Sequence, residues 1–118
     1  MAHKLGGNFL WFAEPDVQEN QDALMVPAST FLGMDPISGG LNLFFEDIEG
    51  GADREIIRLS CADGNQKAVM DAMCRIMQSA PHAGGKMIVV ADYNIANGQT
   101  AIGSHAEFRG LVTGCTIA

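Results

Sequence analysis

Residues 63–81, DGNQKAVMDAMCRIMQSAP, decide the fold, because they carry the one long helical signal in a chain whose other apolar runs read as strands. Val69, Ala72, Met73, Ile76, Met77 and Ala80 recur at the i, i+3, i+4, i+7 spacing of a single helical face. Lys67, Asp71, Arg75 and Gln78 fall on the opposite face, with Asp71 and Arg75 spaced for an i, i+4 ion pair. Asp63 with Gln66 three residues later has the form of a capping box, and Ala80-Pro81 ahead of Gly84-Gly85 ends the helix. Each Val, Met or Ile buried on that face contributes about 1.5–3 kcal/mol. A helix of this length is marginal alone, so it must dock on an apolar sheet.

Outward from the helix, the strands follow. Upstream, Leu41, Leu43 and Phe45 alternate with Asn42, Phe44 and Glu46, and Glu55, Ile57, Leu59 and Cys61 alternate with Ile56, Arg58 and Ser60. The two runs predict an antiparallel hairpin closed through 49–53. Residues 23–27 and 30–34 are shorter strand candidates, the first placed at an edge by Pro27, and 35–40 (DPISGG) reads as a turn. Downstream, KMIVVA at 86–91 is apolar on both faces, as a central strand is. Residues 105–117 read as a strand bent at Gly110 and Gly114. The predicted fold class is α+β: a strongly bent antiparallel five-stranded sheet, packed on one amphipathic helix.

The 118 residues make one domain, with 1–22 as an N-terminal arm and 23–118 as bent sheet plus helix. In the arm, Phe9-Leu10-Trp11-Phe12 is too apolar to stand in water; it either adds a strand or packs on a neighbouring subunit. It is too short for a signal peptide or membrane span, so a soluble, intracellular protein is expected. The 7 basic against 14 acidic residues give a net charge of −7, which argues against wrapping duplex nucleic acid. Cys61, Cys74 and Cys115 are isolated, without zinc spacing, and read as buried thiols.

Catalytic chemistry finds no motif. Ser104 and His105 are neighbours and would point to opposite faces of a strand, and no nucleophile elbow or phosphate loop is present. His3, His82 and His105 are scattered, and the acids Glu46, Asp47, Glu49 and Asp53 around Gly50-Gly51 lack calcium-loop spacing. Asp92-Tyr93-Asn94 fits either an Asx turn or a small-ligand contact. No catalytic residue, metal or cofactor is expected.

The runs LMVPASTFLGMDPISGGLNLFFED (24–47), KAVMDAMCRIMQS (67–79), KMIVVAD (86–92) and VTGCTIA (112–118) resemble a family of small proteins encoded by marine cyanophages. Phe108-Arg109-Gly110 is similar to the start of the second Sm motif, an apolar residue followed by Arg-Gly. Leu111-Val112 stand where the Sm family has polar residues, and the helix here lies between strands instead of ahead of them. The resemblance implies an Sm-like, partly open barrel assembled as a homo-oligomeric ring, with single-stranded RNA held by Arg109 and Gly110. It places the protein in the cytoplasm of an infected host or in the virion. The alternative it leaves open is a virion structural or decoration protein that contacts other phage proteins and takes no nucleic acid.

Overall fold

The computed structural model describes residues 8–15, 23–47, 54–79, 86–94 and 103–117. In chain order the elements are β1 (Asn8–Ala13), β2 (Ala23–Pro27), β3 (Phe31–Ile37), β4 (Gly40–Glu46), β5 (Arg54–Ser60), α1 (Gln66–Gln78), β6 (Lys86–Asp92), β7 (Gly103–Ser104) and β8 (Gly114–Ile117). Short 3-10 turns lie at Ala28–Thr30 and Ala106–Phe108. The class is α+β, as the sequence indicates. The strands, however, form two four-stranded sheets, ordered β2-β1-β6-β7 and β3-β4-β5-β8, where a single five-stranded one is predicted.

Two features of the chain produce the second sheet. Phe9-Leu10-Trp11-Phe12 is a central strand, antiparallel to β2 and parallel to β6, so it gives β6 a partner outside the hairpin sheet. Its alternation serves two faces, with Leu10 and Phe12 fully buried and Phe9 and Trp11 turned the other way. The C-terminal stretch, in turn, is not one bent strand. β7 ends at Ser104, the chain turns through Ala106–Phe108 and the left-handed pair Arg109 (φ 54°) and Gly110 (φ 80°), and β8 then joins the other sheet. The predicted bend is the point where the chain changes sheets.

One core lies between the inner faces of the sheets and α1. Leu41, Leu43 and Phe45 from β4 and Ile57 and Leu59 from β5 face Leu10, Phe12 and Val26 from the other sheet. Phe45 touches both sides of it, with ring centroids 5.9 Å from Phe12 and 5.6 Å from Phe31. The predicted antiparallel β4–β5 hairpin is present, with Leu41 opposite Leu59 and Leu43 opposite Ile57. α1 buries Val69, Ala72, Met73 and Ile76 and packs on β3, β4 and the Ala106–Phe108 turn, whose Phe108 is fully buried. Ala80 lies outside the described residues. At the other end of the core, Glu14 Oε2 accepts the Ile117 N–H at 2.8 Å, tying the end of β1 to β8.

Local details depart from the sequence reading where a distant partner competes. Asp63 does not cap α1; the N-cap is Asn65, without a side-chain bond. Asp63 Oδ1 instead accepts the Gly39 N–H at 2.8 Å and Gln66 Nε2 at 3.0 Å, and Gln66 Nε2 also donates to Ile37 O. These bonds fix the β3–β4 turn, which is shorter than expected: β3 runs through Asp35-Pro36 to Ile37, and only Ser38-Gly39 turn. Pro36 is tolerated because β3 is an edge strand. Asp71 pairs with Lys67 at 3.3 Å, leaving Arg75 for Glu107 at 3.0 Å.

The thiols give a testable consequence of this burial. Cys61 and Cys115 are buried and Cys74 is half-buried, so a thiol reagent should label Cys74 first and the others only on unfolding. Burial, with the Glu14 and Asp92 carboxylates adding to it, pushes the Cys115 thiol up to about 12 from an ordinary 9.0. A folded value above the unfolded one means stability that is complete below about pH 9 and lost as pH rises towards 12. Thermal melts across that window should show a steeper loss for the native protein than for Cys115→Ala.

Candidate functional site

Among the described residues, the face of the first sheet turned away from the core is unusually apolar. The register puts Met25, Trp11 and Val89 in one cross-strand row and Pro27, Phe9 and Met87 in the next. All six are apolar, and none is fully buried: Met25 is 45% and Met87 56% exposed, the other four intermediate. The outer face of the second sheet makes the contrast. There Asn42 faces Arg58 and Glu46 faces Arg54, and Arg54 covers the Phe44 ring at 5.0 Å from its centroid. One sheet has an ordinary solvated face, and the other presents two apolar rows without a charge in them. Trp11 is fixed in its row by donating Nε1–H to Asp92 Oδ2 at 3.1 Å. Asp92 Oδ1 accepts the Asn94 N–H, so Asp92-Tyr93-Asn94 forms an Asx turn, and Tyr93 donates its hydroxyl to Val112 O.

The second feature is a corner at the Ala106–Phe108 turn. Phe108 anchors the turn in the core, and Arg109 and Gly110 lie exposed beyond it. Arg109 is the one non-glycine residue at positive φ among those described, a conformation that costs an ordinary side chain about 1 kcal/mol. Its N–H donates to Ala106 O and closes the turn. Glu107 sits among Arg75, His105 and Arg109; the Arg75 hydrogen bond holds its carboxyl below the usual range, with the Arg75 and Arg109 charges adding to the effect. Two arginines around one carboxylate make a locally basic spot on an acidic protein.

Of the predicted site residues, Arg109 and Gly110 are thus together on a turn, not on a strand. Arg75 was missed: it reads as the polar side of a helix, and nothing in the spacing links it to a turn more than thirty residues on. Ser104 and His105 spend their polar atoms on the backbone, Ser104 Oγ donating to Val112 O and His105 Nδ1 accepting the Glu107 N–H. Among the described residues no group of three or more His, Cys, Asp or Glu side chains could hold a metal ion, and no helix is long and apolar enough to cross a membrane. His3, His82, Glu49 and Asp53 lie outside the described residues. No family model matches this chain, and neither does a curated protein or a solved structure.

Proposed function

We propose that this protein is a non-enzymatic, self-assembling binding protein that works as a homo-oligomer. The observation that carries the reading is the pair of apolar rows Met25-Trp11-Val89 and Pro27-Phe9-Met87 on the outer face of the first sheet. An apolar face of this kind marks an interaction surface on a folded protein. A second copy is the partner that fits it, because the apolar rows of two copies can cover each other without desolvating a charge. The strands β2 and β3, both at sheet edges, offer further pairing positions for a closed, Sm-like ring of phage origin.

Single-stranded RNA is the ligand this reading assigns, held by phosphate contacts at Arg109 and Arg75, with Gly110 giving the backbone close approach. A strained, exposed arginine supports a binding role, since such strain is kept where function uses it. The virion structural reading draws its own support from Glu107, which occupies the centre of the basic corner, and from the acidic balance. Native mass spectrometry with and without a short oligouridylate separates the two. Arg109→Gly is the informative variant, because it removes the charge while relieving the turn. RNA retained by the native oligomer and lost from the variant is the expected result. An oligomer that ignores RNA would leave the virion role.

A further inference from the structure

The strands β2, β7, β3 and β8 stand at sheet edges, and all but β2 are poorly suited to adding a further strand. β7 is only two residues long. β3 is broken by a bulge between Phe31 and Gly33 and carries Asp35 and Pro36. β8 has its Ile117 N–H taken by the Glu14 carboxylate. Short length, bulges, charges and prolines are the devices that keep an exposed edge from pairing. β2, Ala23-Leu24-Met25-Val26-Pro27, has neither a charge nor a bulge, and its proline stands only at the last position.

The hydrogen bonds of the first sheet fix which groups this edge offers. The Tyr93 N–H donates to Ala13 O, so Ala13, and with it Trp11 and Phe9, turns its backbone polar groups towards β6. Leu10 and Phe12 then bond to β2 through Val26 and Leu24, and the N–H and C=O of Ala23 and Met25 point away from the sheet. Pro27 agrees, since a residue without an N–H belongs at an outward position. Outside the sheet, no backbone hydrogen bond to Ala23 or Met25 lies among the described residues.

We infer that β2 pairs antiparallel with β2 of a second copy, about a two-fold axis at Met25. Each Met25 N–H then donates to the partner's Met25 O. Each Ala23 N–H donates to the partner's Pro27 O, a carbonyl with a second lone pair beyond the one that Thr30 Oγ1 uses. A strand added here must be uncharged and apolar on both faces, because one face continues the Met25-Trp11-Val89 row and the other continues the core side of Leu24 and Val26. β2 is itself such a strand, and pairing it with its copy sets no like charges opposite. The inference rests on the self-association proposed above and specifies one contact of it. The two first sheets become one continuous sheet, and the apolar rows on its outer face stay free for a second contact.

Met25→Pro removes the central donor without touching a bond to β1, whereas Met25→Ala trims the side chain and keeps the N–H. In light scattering coupled to size exclusion, Met25→Pro should lower the mass of the assembled protein by about half or more, the loss of one two-fold contact, and Met25→Ala should keep the native mass. Hydrogen exchange on the unmodified chain decides the matter even if Met25→Pro does not fold. Assembly should slow the Ala23 and Met25 amides at least about tenfold relative to the dissociated chain, while Leu24 and Val26, bonded to β1 in both, stay protected. A native mass for folded Met25→Pro, an equal fall for Met25→Ala, or free exchange of the Met25 amide in the assembly would overturn the inference and leave self-association to another surface. A native chain of monomer mass at every concentration would end both.

Discussion

Phe45→Ala is expected to destabilise the protein by about 3–5 kcal/mol, the range for emptying a buried phenylalanine site. Phe45 is fully buried and stands where the inner faces of the two sheets meet, against Phe12 on one side and Phe31 on the other. Tilted and edge-on ring pairs at these distances add about 0.5–1.5 kcal/mol each beyond burial. The surrounding groups cannot close the hole easily, because they belong to strands of two different sheets. A domain of this size has about 5–15 kcal/mol in all, so the variant should unfold at much lower urea with an unchanged slope. Phe12→Ala should cost a similar amount, and the double variant less than the sum, since the two rings share one contact. A loss under about 1 kcal/mol for Phe45→Ala would mean that the sheets do not pack through this ring.

The second large effect is on assembly. Met25→Lys combined with Met87→Lys should weaken self-association by at least about a hundredfold, or roughly 2.7 kcal/mol. The two side chains lie at diagonal corners of the outer face, one in each row, and are 45% and 56% exposed in the monomer. In an oligomer they would lose water, and two ammonium groups there would be desolvated without partners. In the monomer the same changes should move folding stability by no more than about 0.5 kcal/mol, because surface positions seldom do more. Light scattering coupled to size exclusion reads the first effect, and urea unfolding the second. Weaker assembly at unchanged stability assigns the face to the interface; unchanged assembly removes it.

What the sequence made legible was what depends on neighbours in the chain. The α1 face, the Leu41–Leu43–Phe45 alternation and the antiparallel hairpin follow from spacing alone, and the structure has them. The partition into two sheets does not follow, because the parallel pairing of β1 with β6 joins Phe9 to Met87 across most of the chain. Periodicity can say that Leu10 and Phe12 face one way and Phe9 and Trp11 the other, but not which strand lies beside them. The helix cap went astray for the same reason: Gly39, remote in sequence, claims Asp63. Arg109 was visible through its Arg-Gly pair, whereas Arg75 acquires its significance only from Glu107. In each case the local signal was sound and a long-range partner decided its use.

Self-association can be read from sedimentation equilibrium of the unmodified protein from low to high micromolar concentration. The expected mass is a fixed multiple of the 12.5 kDa subunit, falling towards that value on dilution or in the Met25→Lys, Met87→Lys variant. A single species of 12.5 kDa at every concentration would contradict it, and the two apolar rows of the first sheet would then need a partner other than a second copy.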